Sequence, residues 1–502
     1  MVDVPITQEV LDGMASDSVG YTYSTDFLIQ QYPKIRVPPM VTDTAVRNAF
    51  KQFTAREARF DLLHNYYIGR HRFPADTTGS MVVSNLCGYI AKALRGYIIG
   101  NRPQYVCSEG DTYGQAIADL YNEQNKWLTD AELINDMIVY GRAFELVYRD
   151  TKDPKTPKSV RCSPRDAFVA YAGDMEQDSV FGAVRYVEVD ENQVKHYRLY
   201  LYTVDEAQIW TSDSEDGPWV MQSSAPHGMG RVPLIEYANN MDYMGDFEPI
   251  IGLQDAYNQL LSDRLDDKTA FAQAMLKISG AVIGQTQDEI AESLGKLRKG
   301  KVLQLDTDAT AEYLVKTMDE TGIQVYQDQL KNDIHKEAMV PDLSDEQFAN
   351  NASGVSMAYK LFGTDQMVAD KVAQYEKGYT RRCKLYDAVL FNSTVSPDYE
   401  PRSDIGGMSI KFRFNSPQDL SYATTAYSTA ISAGFLSKQT AIENLSIVDD
   451  AAVELERIKG EQEEADSRQE ALFGQDYTDT GLKSQTPQNL FQKDEDEDED
   501  EE

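Results

Sequence analysis

The stretch from Val355 to Phe391 constrains this chain more than any other, because it carries one helical pattern about 37 residues long. Such a helix runs ~55 Å at 1.5 Å per residue, where an ordinary globular helix has ~11–12 residues. Gly363 and Gly378 lie inside it, each costing ~1 kcal/mol relative to alanine. The pattern therefore predicts a kink near Gly363-Thr364 in place of a straight rod. Two further helical patterns precede it. In the first, Ile250, Leu253, Tyr257, Leu260 or Leu261 and Leu265 share one face; in the second, Ile323, Tyr326, Leu330 and Ile334 do. Between them lies an insertion punctuated by Gly280, Gly284, Gly295 and Gly300, and Val340-Pro341 ends the second helix. A polar loop, Asp342 to Gly354, leads into the long run. One chain cannot bury all these faces, so copies of itself are expected to cover them.

At 502 residues the chain should hold two to four domains, and its 41% hydrophobic content supplies ample core. It carries 48 basic against 82 acidic residues, a net charge of −34. The nine acids Asp494 to Glu502 beside Lys493 account for −8, leaving −26 elsewhere. Such a body repels duplex DNA, which argues against a sequence reader but not against a conduit that DNA slides through. Cys87, Cys107, Cys162 and Cys383 have no metal-ligand or redox spacing and read as free thiols in a reducing compartment. The N-terminal residues lack a signal-peptide pattern, and no apolar run approaches ~18 residues, so the expectation is a cytoplasmic chain with no membrane span.

In chain order, residues 1–44 are spotted with Pro5, Pro33, Pro38 and Pro39 and read as an arm wrapping a neighbour or folding late. A helical pattern starts at Thr42-Asp43-Thr44 and runs through Phe50, Phe53, Phe60, Leu63 and Tyr67. Lys51, Arg56, Arg59, Arg70, His71 and Arg72 make its surface basic, which reads as a solvated face paired to acids; the alternative is a contact to phosphate. A helix over about Val83 to Ile98 ends at Gly100-Asn101-Arg102-Pro103, with a strand at Gln104 to Cys107 and helices at about 111–124 and 127–139. From Gly141 the text turns β-rich: Val184 to Val189, His196 to Tyr202, Gln208 to Thr211 and Trp219 to Met221 suggest an antiparallel meander. A strand at Met408 to Phe414 is expected to pair with that meander. Residues 419–465 are helical, with Gly434 as a C-cap and Ser437 as the next N-cap, and beyond about Asp466 the composition predicts disorder.

No catalytic signature emerges. Gly295-Lys296-Leu297-Arg298-Lys299-Gly300-Lys301 has the spacing of a phosphate-binding loop, but Val302 stands where Ser or Thr must hold magnesium, so it reads as a basic turn, solvated or docking. His64, His71, His196, His227 and His335 form no zinc pattern, and His335 reads as a surface group. Asp263, Asp266 and Asp267 read as solvated charge. The chain is expected to be no enzyme and to use neither cofactor nor metal.

Gly230-Arg231-Val232-Pro233-Leu234-Ile235 ahead of the first helix, and Asn351-Ala352-Ser353-Gly354-Val355-Ser356-Met357-Ala358-Tyr359-Lys360 at the loop-to-helix junction, resemble the portal proteins of tailed bacteriophages, in the branch typified by Bacillus siphophages. The order helix, insertion, helix, loop, long helix agrees, and the likeness extends over roughly residues 45–465. It implies an α+β, mainly helical, portal-type protomer with wing, stem, clip and crown, assembling as a ring around a central channel. Carried onto this chain, it implies an N-terminal arm (1–44), wing (45–240), first stem helix (241–263), clip (264–320), second stem helix (321–340), tunnel loop (341–354), long kinked helix and return strand (355–418), helical crown (419–465) and acidic disordered tail (466–502).

On that resemblance Asp342, Asp345, Glu346, Gln347, Phe348, Asn350, Asn351 and Gly354 form the channel-facing loop, with Gly354 as hinge and Gly363 as kink. Lys296, Arg298, Lys299 and Lys301 become a clip docking patch. The implied partners are copies of itself in a dodecamer, double-stranded DNA read without sequence, the terminase large subunit, a head-completion adaptor, and the major capsid and scaffolding proteins. The implied place is a capsid vertex of the virion, after assembly in the host cytoplasm. The rivals are an acidic metal-dependent nuclease and a non-channel helical scaffold or adaptor of a virion.

Overall fold

The computed structural model describes residues 34–74, 79–108, 111–150, 152–189, 194–214, 217–272, 275–279, 310–314, 320–343, 354–390, 408–415, 420–445 and 451–475. Two compact units divide the chain, Met1–Ser416 and Pro417–Glu502.

The first unit opens with β1 (Ile35–Val37) and then two helices where one was expected, α1 (Asp43–Thr54) and α2 (Glu57–Ile68). Thr42 caps α1 by accepting a hydrogen bond from Ala45 N at 3.1 Å. The break at Ala55-Arg56 turns the chain so that Phe50 and Phe53 enter one core while Phe60 and Leu63 enter another. Next come α3 (Leu86–Ile99), β2 (Gln104–Val106), α4 (Thr112–Glu123) and α5 (Lys126–Tyr140). Helix α3 starts three residues later than its pattern suggests, because Asn85 is the cap and residues 79–84 are extended.

Strands β3 (Arg142–Arg149), β4 (Pro157–Cys162), β5 (Ala167–Ala172), β6 (Ser179–Val189), β7 (Lys195–Tyr202), β8 (Glu206–Ser212), β9 (Val220–Pro226) and β10 (Leu234–Ala238) follow. They form two sheets. One is six-stranded in the order β1-β5-β6-β7-β8-β9, an antiparallel meander with β1 added in parallel at its edge. The other, β10-β3-β4, is three-stranded, and the Leu234-Ile235 motif is its β10. Helix α1 packs Val46, Phe50 and Phe53 against Phe168, Phe181, Leu199 and Trp210 of the larger sheet.

A short 3-10 turn, Glu248–Ile250, leads into α6 (Ile251–Ala272), which is displaced about ten residues from the expected 241–263. Strands β11 (Met275–Ser279) and β12 (Thr310–Leu314) pair antiparallel, so the ends of the insertion lie side by side, and α7 (Glu320–Glu337) returns. Helix α8 (Gly354–Leu390) is unbroken for 37 residues, its hydrogen-bonded run continuing through both glycines. Strand β13 (Ser409–Lys411) pairs with β2, not with the meander. That pairing buries Ile410 and sets Phe412 and Phe414 against the main core.

The second unit contains α9 (Leu420–Ser432), α10 (Lys438–Asn444) and α11 (Ala451–Gln475). Gly434 has the left-handed φ of +75° expected of a helix C-cap, and Ser437 Oγ accepts from Thr440 N at 3.1 Å. The expected tail from residue 466 is corrected here, since α11 runs on to Gln475. Its Glu, Arg and Ala content is helix-forming, and Arg468 pairs with Glu464 one turn earlier.

Candidate functional site

Helix α8 is seated by buried charge as much as by apolar contact. Arg382, wholly buried, reaches Asp130 of α5 and Glu145 of β3, each at 2.7 Å. Around it, Tyr375 and Tyr105 donate to Asp130, and Tyr237 and Ser159 donate to Glu145. Burial alone would raise the Glu145 carboxyl; Arg382, then Lys126 and the hydroxyl donors, more than offset it and hold it below the usual carboxylate value. One turn before Arg382, Gly378 lies under the Tyr237 ring, and a Cβ there would sit 2.3 Å from ring carbons. Further along, the Lys371 ammonium donates to Asp246 at 2.8 Å and also meets Asn239. The same region shows that the basic face of the first helices is not solvated throughout. Arg59 makes a two-pronged contact with Glu248, at 2.8 and 2.7 Å. Burial, then the neighbouring Arg142, pulls the Arg56 guanidinium down to about 9.

Helix α6 was expected to bury an apolar stripe; its most completely enclosed groups are instead polar. Gln254, Asn258 and Ser262 are at most 1% exposed, whereas Leu265 is 45% exposed. Every fourth residue of α6 captures every second amide from Ser80 to Leu86, along the strap 79–84 and into the first residue of α3. Leu86 N donates to Gln254 Oε1 at 3.0 Å, Ser84 N to Asn258 Oδ1 at 3.1 Å, and Val82 N to Ser262 Oγ at 3.0 Å. Ser80 N donates to both carboxylate oxygens of Asp266 at 3.0 Å. The spacings agree because two extended residues advance ~6.6 Å and four helical residues ~6.0 Å. Asp266 is thus a backbone acceptor and not a solvated charge. Asn258 Nδ2 also donates to His71 Nδ1 at 2.7 Å, which leaves the ring proton on Nε2, facing Tyr66 O and Asn85 Oδ1.

Helices α6 and α7 are joined by Arg264, which donates to Gln324 at 3.0 Å and Gln327 at 2.6 Å, and by Gln327, which donates to Tyr257. After α7 the chain is held at four of the five residues from Met339 to Leu343. His335, which is buried and not a surface group, donates from Nδ1 to Val340 O at 2.9 Å. Thr364 Oγ1 on α8 donates to Met339 O at 2.6 Å. Asp342 pairs with Lys331 at 2.5 Å, and Leu343 N donates to the Tyr89 hydroxyl at 3.1 Å.

Of the residues singled out in the sequence, Asp342 therefore lies at an anchored root, Gly354 is the first residue of α8, and Gly363 lies within α8 with open space where a Cβ would be. Asp345, Glu346, Gln347, Phe348, Asn350, Asn351, Lys296, Arg298, Lys299 and Lys301 lie outside the described residues. The sequence reading missed Arg382, Thr364 and the α6 ladder; only the ladder left a signal, four hydrogen-bonding residues at i, i+4 spacing.

Among the described residues no three His, Cys, Asp or Glu side chains gather as a metal site would require, and no helix is long and apolar enough to cross a membrane. All four cysteines are free. The portal protein of Bacillus phage SPP1 is 22% identical to this chain over 341 residues, a match covering 64% of this chain and 65% of that protein, just under two thirds of its length. The family model described as "Phage portal protein, SPP1 Gp6-like" matches residues 48–468. With the long helix, the paired helices and the insertion between them all inside that span, the chain belongs to the SPP1 Gp6-like family of phage portal proteins.

Proposed function

We propose that this chain is the protomer of a ring at a capsid vertex, and that double-stranded DNA is packaged and later ejected through the ring's central channel. The observation that carries the proposal is the family match over residues 48–468. The exposed apolar residues of the helices around the insertion support it. Val325 and Tyr326 on α7 are 62% and 52% exposed, and Tyr359 and Phe362 on α8 are 79% and 60% exposed. A neighbour meeting them through a different face of its own makes a head-to-tail contact, which closes into a ring when the rotation fits. The net charge of −34 suits a passage that must not grip phosphate.

In this reading α6 and α7 are stem helices, residues 273–319 belong to the clip, and 344–353 is the tunnel loop, sequence-blind toward DNA through Gln347, Asn350, Asn351 or backbone amides. The ring is a dodecamer in the virion, assembled in the host cytoplasm with scaffolding and major capsid proteins. The terminase large subunit docks first and a head-completion adaptor later. The protomer is structural, and the ATPase belongs to the motor. Negative-stain images of the purified chain test this: rings with a central hole are expected, and solid particles or unassembled chains would refute it.

A further inference from the structure

The six-stranded sheet ends in two unlike edges. At β1 both outward backbone groups of Arg36 are occupied by the Gln52 side chain of α1. Arg36 N donates to Gln52 Oε1 at 3.3 Å, and Gln52 Nε2 donates to Arg36 O at 3.2 Å. No strand can pair there without displacing that amide. The other edge is open. Strand β9 pairs only with β8 among the described residues, and all seven of its residues are exposed. It carries no charge, its proline is its last residue, and Val220 and Met221 are 55% and 50% exposed. A register shift opposite Ile209/Trp210 bends β9 locally but leaves Ser223 to Pro226 paired in a regular ladder. Edges of this kind are templates for another strand unless blunted by charge, proline or cover.

We propose that β9 receives, as an added strand, residues 19–25 of a second copy of this chain. That run, Val19-Gly20-Tyr21-Thr22-Tyr23-Ser24-Thr25, places Val, Tyr and Tyr at alternate positions and is rich in strand-forming residues. It is an uncharged run between Asp17 and Asp26 in an acidic segment, and unlike the uncharged run 27–33 it contains no proline. Two neutral strands can therefore pair without opposing like charges, on a chain of net charge −34. Backbone pairing at a sheet edge supplies the affinity, and alternate side chains supply the register.

The segment leads into β1, at the closed edge of the same sheet, five strand spacings or ~24 Å from β9. Within one chain the arm would have to cross the sheet, one face of which is covered by α1. Between head-to-tail neighbours, the β1 edge of one copy can lie beside the β9 edge of the next. The inference rests on the ring reading in that one respect.

The test uses two variants in a Cys107→Ser background, because the other three cysteines are buried. One chain carries Tyr21→Cys (or Tyr23→Cys to allow for register) and an affinity tag; the untagged chain carries Ser223→Cys. They are co-assembled, imaged, and treated with a short bismaleimide. A tagged–untagged covalent dimer formed only in the mixture is expected, falling at least tenfold when Ser224→Pro is added to the β9 chain and unchanged with Ser224→Thr. Rings without that dimer, or a crosslink confined to single chains when both cysteines share one, would overturn the inference and leave the ring standing. Absence of both rings and dimers would overturn both.

Discussion

Replacing Arg382 by methionine tests what holds the long helix to the rest of its unit. The methionine fills much of the volume but leaves Asp130 and Glu145 facing each other, both wholly buried. Removing one partner of a buried ion pair typically costs ~3–5 kcal/mol, because an uncompensated charge remains. Tyr105, Tyr375, Tyr237 and Ser159 still donate to the two carboxylates, so the lower part of that range is expected. At about 1.4 kcal/mol per tenfold, hydrogen-exchange protection of α8 peptides around residue 382 should fall on the order of 10²–10³-fold at pH 7.

The pH dependence has a definite sign. In the unaltered chain Glu145 sits below its usual value, so its contribution is present above the unfolded pKa and lost as pH falls through the folded one. Without Arg382 burial dominates and the folded value rises above the unfolded one. The variant then gains stability relative to its unfolded state as pH falls through that raised value. The gap between the two proteins should therefore narrow between pH 7 and pH 5, and adding Glu145→Gln and Asp130→Asn should recover most of it. A gap unchanged by pH, with no recovery in the triple variant, would refute the electrostatic account and leave packing as the cause.

Three further outcomes are expected. Gly378→Ala should unseat α8 from Tyr237, lowering the thermal midpoint, whereas Gly363→Ala meets nothing and should stabilise the helix by ~1 kcal/mol in the same melt. Gln254→Leu takes the side-chain acceptor from the Cys87 amide and leaves the Leu86 amide and the Ser84 carbonyl with only their mutual hydrogen bond, and should cost ~1–3 kcal/mol, read as faster exchange at residues 84–87 with α7 unaffected. Changing Lys296, Arg298, Lys299 and Lys301 together to alanine should spare ring formation yet weaken motor or adaptor docking; unaltered packaging and head completion would remove that patch from the mechanism.

The long helix could be read from the chain because its pattern is local, and local periodicity survives without knowledge of neighbours. The meander was readable for the same reason. What escaped depended on distant partners. Strand β13 finds β2 across some 300 residues, and nothing in Ser409–Lys411 names that partner. Gln254 and Asn258 stand outside the apolar set that marks this helix in the sequence, yet amides from residues 84–86 meet them and both are buried. Arg59 read as surface charge, and Arg382 drew no notice, because the acids that allow their burial lie far along the chain. The candidate site divides in the same way. The position of the Asp342–Gly354 stretch between two helices was evident, while the clamps at its root, Thr364, His335, Lys331 and Tyr89, come from three different helices.

The strap on α6 behaves as a vernier. Each rung sets ~6.6 Å of extended chain against ~6.0 Å of helix, so the offset is ~0.6 Å per rung and approaches ~2 Å from the first rung to the fourth. The four rungs nonetheless keep lengths of 3.0–3.1 Å, so the strap takes up that offset by lying slightly short of full extension. Length changes must also come in matched units. Two residues added to the strap need four in the helix, and a single inserted residue would turn carbonyls toward side chains that can only accept, such as Asp266. Across relatives, this seam should tolerate substitution far more readily than insertion or deletion.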